Sequence, residues 1–257
     1  MKKFESIESP QNAKFKTWCS LKTTKGIKKT GKALVAGKTL VSEMHKHFYD
    51  QPLEILFTEK MGIPVNLGPH TKAYQLSETL FNELDPLGLH FPLLVVPTPE
   101  IPTLELNPTP KGLQVLLPLG DPKNLGAAIR NCLAFGVTDI VLLKEAAHPY
   151  HFASIKASSG AVFKVRLQAG PSIQELTKSN SLFCLDGHGQ SLVDFEWPGN
   201  LYLLVGEEGP GVPDSLKDHK QTLSIPIDEN IESLNAHQAL GIALYDMCSK
   251  KHNSKTN

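Results

Sequence analysis

The alternation of apolar and polar positions has two rhythms along the chain. In the first 96 residues, amphipathic stretches alternate with short apolar runs. Residues 12–22 (NAKFKTWCSLK) predict a short amphipathic helix, and 33–37 (ALVAG) a strand. Residues 39–49 predict a helix whose Leu40, Met44 and Phe48 share one face. LEILF (53–57), AYQL (73–76) and FPLLVV (91–96) predict strands, and Ser77 can cap a helix reaching Leu84. Together these make a small α/β unit. Beyond residue 111 the apolar runs become more regular. LQVLLPL (113–119), DIVLL (139–143), VFKVRL (162–167), LFCLD (182–186), LYLLV (201–205) and LSIPI (223–227) predict strands. Helices are expected between them over 124–135, 153–158 and 172–179, with a long final helix over 233–250. Ser172 and Glu175 have the spacing of a capping box. Continuous apolar strands alternating with helices imply an α/β domain with a mainly parallel sheet covered on both faces.

Between the halves lies PTPEIPTLELNPTP (97–110), with prolines at 97, 99, 102, 108 and 110. Proline at that density removes backbone donors and favours extended chain, as in a linker or an edge segment. The expected domains are therefore 1–97, a Pro-rich linker at 98–111, and 112–257.

Composition narrows the picture. No stretch of about 18 uninterrupted apolar residues indicates a membrane span, and MKKFESIESPQN has no apolar run behind its lysines to make a secretory signal. A cytoplasmic protein is expected. Cys19, Cys132, Cys184 and Cys248 are far apart, and Cys132 and Cys248 sit in helical patterns that suit buried thiols. His148 and His151, in HPYH, have no Cys or carboxylate partner nearby and are expected in a loop; no metal site is expected. Net charge is zero, but its distribution is uneven. Residues 1–46 carry eleven lysines against three glutamates, a net of +8, and the rest carries −8. That is the pattern of a phosphate-binding face, or equally of a solvated lysine-rich surface.

In a parallel sheet, ligands bind beyond the C-terminal ends of the strands. Three loops lie there. GDPKNLGAAIRN (120–131) enters a helix; Asp121 and Asn124 can cap it, and Pro122 suits its first turn. Arg130 is one of only two arginines, and on an otherwise apolar helix it calls for a carboxylate or phosphate partner. GEEGPGVP (206–213) follows LYLLV and has three glycines in six positions, which permit close approach to a ligand. IPIDENIESLNAHQALGIALYD (225–246) places Ser233 as a helix N-cap and Asn235 in the first turn. The segment 187–192 ends in Leu where a dinucleotide-binding fingerprint needs Gly, which disfavours a nucleotide-dependent oxidoreductase.

In this order the loops resemble the three motifs of SpoU-type RNA 2′-O-ribose methyltransferases, of the SPOUT superfamily. Asn124, Gly126 and Arg130 approximate N-x-G-x-x-x-R. LLVGEEGPGV resembles L-V-x-G-x-E-x-x-G, with Glu208 at the acidic position and Glu207 where a small polar residue is common. Ile225-Pro226 and Ser233-Leu234-Asn235 resemble the third motif, with His237-Gln238 where Ser-Val is common. His237 is read as occupying a helix face near the site, with an RNA contact as the alternative. ASSGA (157–161) resembles a small-residue segment between the first two motifs. The match spans about 113–248; the N-terminal part more weakly resembles a substrate-binding domain related to ribosomal RNA-binding proteins.

The resemblance implies a C-terminal trefoil knot, a rare exception to unknotted topology, and a homodimer with its active site completed near the interface. It implies S-adenosylmethionine as cofactor, held by Leu204, Gly206, Gly211, Ile225, Ser233 and Leu234. Arg130, Asn124, Glu208 and Asn235 become the catalytic candidates. A guanidinium stays charged at any working pH, so Arg130 is expected to bind the RNA phosphate beside the target ribose. Asn124 and Asn235 would orient the ribose and Arg130, and Glu208 would fix a loop or pair with a basic group. Ribosomal RNA is the favoured substrate. The alternatives are a tRNA methyltransferase of the same fold and a non-catalytic RNA-binding protein.

Overall fold

The structure is a computed structural model and describes residues 4–62, 67–85, 87–107, 109–217 and 221–253. Lys2, Lys3 and Pro108 lie outside the described residues. Contacts divide the chain into two units, 1–100 with 148–163, and 101–147 with 164–257.

The first unit begins with β1 (Glu5–Ile7), α1 (Ala13–Ser20), α2 (Thr24–Thr30), β2 (Lys32–Val35) and α3 (Lys38–His47). It continues with β3 (Leu53–Phe57), β4 (Thr71–Leu76), α4 (Glu78–Leu84) and β5 (Leu93–Pro97). The strands form one mixed sheet in the order β1-β4-β3-β5-β2. Strands β1, β4 and β3 pair in parallel, and β5 runs antiparallel to both β3 and β2. Phe15, Trp18, Leu34, Leu56, Tyr74, Phe81 and Val95 meet in its core. Apolar periodicity missed α2, because TKGIKKT has one large apolar residue, Ile27. Local chemistry makes this helix instead. Thr23 Oγ1 accepts from Gly26 N at 3.2 Å, and Gly31 closes the far end in the left-handed region. A Cβ at position 26 would fall 2.0 Å from the Ser20 carbonyl oxygen, so only glycine lets α2 pass α1 this closely.

The second unit holds β6 (Leu113–Leu117), α5 (Pro122–Ala134) and β7 (Asp139–Leu142). After α6 (Phe152–Ala157) come β8 (Arg166–Ala169), β9 (Leu182–Ser191), β10 (Leu201–Val205), β11 (Thr222–Ser224) and α7 (Ala236–Asn253). All six strands, in the order β11-β9-β10-β6-β7-β8, pair in parallel. The segment His148–Phe163, inside the span expected to be one domain, clusters with the first unit and carries α6 there. Within that unit its Phe163 ring packs against Phe48 at 5.2 Å. Part of the proline-rich stretch is an edge of the second sheet: Leu104 N donates to Ala169 O, and Ala169 N to Pro102 O, both at 2.8 Å.

Three expected elements are corrected. Residues 162–167 are not one strand; Ala161–Phe163 form a 3-10 turn whose side chains are buried, and β8 starts at Arg166. The capping box at Ser172 and Glu175 is present, yet only the turn Ile173–Glu175 follows, where Ile173 and Leu176 plug the core instead of continuing a helix face. The strand expected over 223–227 stops at Ser224, because Pro226 has no N–H to give a ladder. Cys132 is buried as expected, while Cys248 is half-buried, its Sγ donating to Phe135 O at 3.5 Å.

Candidate functional site

The C-terminal ends of β10 and β6 lie side by side next to the middle of β9, and the loops after β6, β10 and β11 form the site with it. After β6 the chain turns into α5. Asp121 caps this helix, its carboxylate accepting from Lys123 N and Asn124 N at 2.9 Å each. Asn124 is not a cap, contrary to expectation. Its Nδ2 donates to Glu208 Oε1 at 2.5 Å, and Asp121 N donates to Glu208 Oε2 at 2.9 Å. A carboxylate at a helix N-terminus is favoured by the unpaired N–H groups and by the helix dipole. Glu208 therefore ties the loop after β10 to the start of α5.

That loop is shaped by its glycines. Glu207 N donates to Gly211 O, and Gly211 N to Glu207 O, both at 3.0 Å, closing residues 207–211 into a tight ring. Gly211 has φ +72. A Cβ on Gly206 would lie 2.9 Å from the Gly211 carbonyl carbon, so the ring closes over position 206 only if that residue is glycine.

A cavity of about 640 Å³ opens beneath the ring. Gly206, Glu207, Glu208 and Gly211 line it from β10, and Ile225, Ser233, Leu234 and Asn235 from the segment leading into α7. Leu204 does not: it is fully buried in the core beside Leu116 and Cys184. The N-cap position also shifts. Helix α7 starts at Ala236, and Asn235 Oδ1 accepts from His237 N at 3.2 Å, so Asn235 rather than Ser233 caps it. His237 is half-buried, with Nδ1 shut away from solvent and without a hydrogen-bond partner among the described residues.

Leu185–His188, midway along β9 and level with the end of β10, form a wall that sequence reasoning missed. In sequence, the glycines at 187 and 189 read only as an incomplete dinucleotide fingerprint. One has a different reason: a Cβ on Gly189 would fall 2.2 Å from Thr222 O, where β11 presses against β9.

Arg130 lies outside the cavity lining. Leu125, Ala128, Ile129 and Cys132 bury one face of α5, and Arg130 is on the opposite, exposed face. It has no hydrogen-bond or ion-pair partner among the described residues, so the internal carboxylate that the sequence allowed for it is not there. The other arginine is satisfied: Arg166 Nε and Nη2 grip Asp139 at 2.6 and 2.5 Å. The two histidines of HPYH use their rings locally. Tyr150 N donates to His148 Nδ1 at 3.3 Å, and Ala153 N to His151 Nδ1 at 3.4 Å. Among the described residues no group of three or more His, Cys, Asp or Glu is placed to hold a metal ion, and no helix is long and apolar enough to cross a membrane.

Known proteins are similar to this chain in sequence and fold. A protein of Syntrophobacter fumaroxidans named ribosomal RNA small subunit methyltransferase G 2 is 38% identical over 244 residues, 94% of this chain; the chain spans 49% of that protein's length. The Bacillus subtilis 23S rRNA (guanosine(2553)-2′-O)-methyltransferase RlmP is 27% identical over 95% of this chain and 99% of its own. The crystal structure of the SpoU methyltransferase AviRb from Streptomyces viridochromogenes, in complex with AdoMet, superposes with a TM-score of 0.75 at 23% identity, covering 94% of this chain and 99% of that one. Residues 113–245, which carry the cavity, the Glu208 tie and α5, match the SpoU rRNA Methylase family, and the chain belongs to that family.

Proposed function

We propose that the chain transfers a methyl group from S-adenosylmethionine to a ribose 2′-hydroxyl of RNA, with ribosomal RNA as the favoured substrate, in the cytoplasm. The observation that carries this reading is the Glu208 tie. One carboxylate joins the loop that lines the cavity to the helix that presents Arg130. A donor site and an acceptor-facing surface are thereby held on one rigid edge.

The residues present fit the cofactor. The cavity falls within the usual range for small-molecule sites, about 300–1,000 Å³. Close backbone approach at Gly206 and Gly211 suits a ligand held largely by main-chain groups. When bound, S-adenosylmethionine supplies a methyl group on a sulfonium, which needs no further activation. The protein's task is alignment and handling of the hydroxyl proton. Arg130, exposed and without a partner among the described residues, binds the phosphate beside the target ribose. The 2′-hydroxyl proton passes to that phosphate or to water, since a guanidinium cannot accept it. Asn235 orients the ribose from the mouth of the cavity, and Asn124 sets the loop through Glu208.

The rest of the reading follows the family resemblance. The segment leading into α7 threads through a loop as a trefoil knot around the cofactor. Two copies pair, with the exposed Ile242 and Tyr245 of α7 available to be covered. The domain at 1–97, joined through 98–111 to the methyltransferase domain at 112–257, engages the RNA. Lys16, Lys25, Lys28, Lys29, Lys38 and Lys46, without ion-pair partners among the described residues, supply phosphate contacts.

Incubation with labelled S-adenosylmethionine and total RNA tests the reading. Label in large ribosomal RNA at a ribose is expected. Label confined to tRNA would move the substrate, and RNA binding without any label would sink the enzymatic reading.

A further inference from the structure

Asn131 follows Arg130 on α5 and reaches across to α7. Its Nδ2 donates to the carbonyl oxygen of His237 at 2.7 Å. That carbonyl belongs to the first turn of α7, two residues past Asn235 on the cavity wall. Glycine at position 241 makes room for the contact: a Cβ there would lie 3.0 Å from Asn131 Nδ2. Further along, the Phe135 and Tyr245 rings are 6.4 Å apart, and Cys248 Sγ donates to Phe135 O at 3.5 Å. Residue 131 meets 237 and 241, and residue 135 meets 245 and 248. The two helices therefore run alongside each other in the same direction.

Ring packing and a long sulfur contact tolerate small sliding of one helix along the other. A short amide–carbonyl bond is directional and does not. Of the side-chain hydrogen bonds linking α5 to α7 among the described residues, the Asn131 bond is the one below 3 Å. It sits between Arg130 and the segment that ends at Asn235.

We propose that Asn131 is a positioning residue for methyl transfer. It fixes the axial register of α5 against α7, and so the alignment of Arg130 with the cofactor-facing segment 233–235. The proposal rests on the methyltransferase reading above. Asn131 touches neither substrate nor cofactor; it acts through the helices that carry the groups that do.

Kinetics of the full chain with its RNA substrate test this. Asn131→Asp keeps the side chain's shape but removes the donor and sets a carboxylate against a carbonyl. Since misplacement of about 1 Å can cost about 10²-fold in rate, N131D should lower kcat by roughly 10- to 100-fold. The KM values for S-adenosylmethionine and RNA should stay within about threefold, and Tm within a few degrees. Gly241→Ala should lower kcat similarly, because its new methyl group pushes on the Asn131 amide. Added to Asn131→Ala it should cost less than about twofold more, since the amide it displaced is gone. N131D at wild-type kcat, or a loss lying wholly in KM or Tm, would overturn the proposal. Should N131D not fold, independent losses from G241A and N131A that multiply in the double variant would overturn it equally. A wild-type chain inert toward every RNA would instead bring down the methyltransferase reading itself, and this inference with it.

Discussion

The side-chain amide of Asn124 donates to Glu208 Oε1 at 2.5 Å across 84 positions of sequence, while Glu208 Oε2 accepts from the backbone of Asp121. Glu208→Ala removes both acceptor oxygens. The Asp121 N–H and the Asn124 amide then lose the group that joins them. We expect kcat/KM to fall by about 10- to 100-fold, the scale of a modest misalignment. Thermal unfolding should hardly change, because Glu208 is exposed. Steady-state methylation alongside calorimetric melting checks both halves.

The two arginines should behave oppositely. Arg130→Ala is expected to abolish methylation, leaving S-adenosylmethionine affinity within a few-fold and the melting temperature unmoved, since the residue has no partner among the described residues. Arg166→Ala breaks the Asp139 pair and should leave methylation intact. Near-normal turnover in R130A would remove Arg130 from the mechanism.

Gly206→Ala puts a methyl carbon 2.9 Å from the Gly211 backbone, which has no flexible end to yield. Overpacking of this kind costs about 1–3 kcal/mol. The ring must open, so cofactor affinity should drop together with stability. Denaturant titration and isothermal calorimetry on the same variant would reveal an unaffected ring if both stayed at wild-type values.

Acid should weaken the first unit through His148. Burial, and then Lys28 and His151 nearby, lower its pKa from 6.5 to about 4. The native ring also accepts from Tyr150 N, which a proton on Nδ1 would displace. A histidine depressed in the folded state binds fewer protons there than in the unfolded chain, so stability rises with pH across that interval. Its contribution is complete above pH 6.5 and is lost as pH falls toward 4. Unfolding free energy measured across this window should slope upward with pH in the wild type and flatten in His148→Gln.

The second unit was readable in the sequence to the extent that its strands are apolar runs. LYLLV gave β10 at its true bounds, Leu201–Val205, because all five residues are buried on both sheet faces. Where burial served another purpose the pattern misled. Val162 and Phe163 are as apolar as any strand residue, yet they fill the core from a turn. Ile225 and Ile227 look like the end of a strand and instead line the cavity. Helix α2 was invisible for the opposite reason, being held by a cap and a glycine contact that periodicity does not register. At the site, Glu208, Gly206 and Asn235, which motif order groups, line one cavity. Motif order could not reveal Leu185–His188, whose membership depends on β9 lying next to β10. Nor could it reveal that Asn124 is already engaged by Glu208, because that bond joins residues distant in sequence.

The strand order β11-β9-β10-β6-β7-β8 has a consequence for how the protein comes into being. β10 lies between β9 and β6, so those two strands cannot reach their final spacing until residues 201–205 have inserted between them. A chain emerging from the ribosome up to residue 200 can pair β6, β7 and β8, but it has no cavity and no Glu208 to hold the start of α5. Both faces of the site then form in one late, long-range closure, of the kind that slows folding. A nascent or truncated chain of that length would expose the edges of β6 and β9 as unpaired strands, inviting association with other chains, until the middle of the sheet arrives.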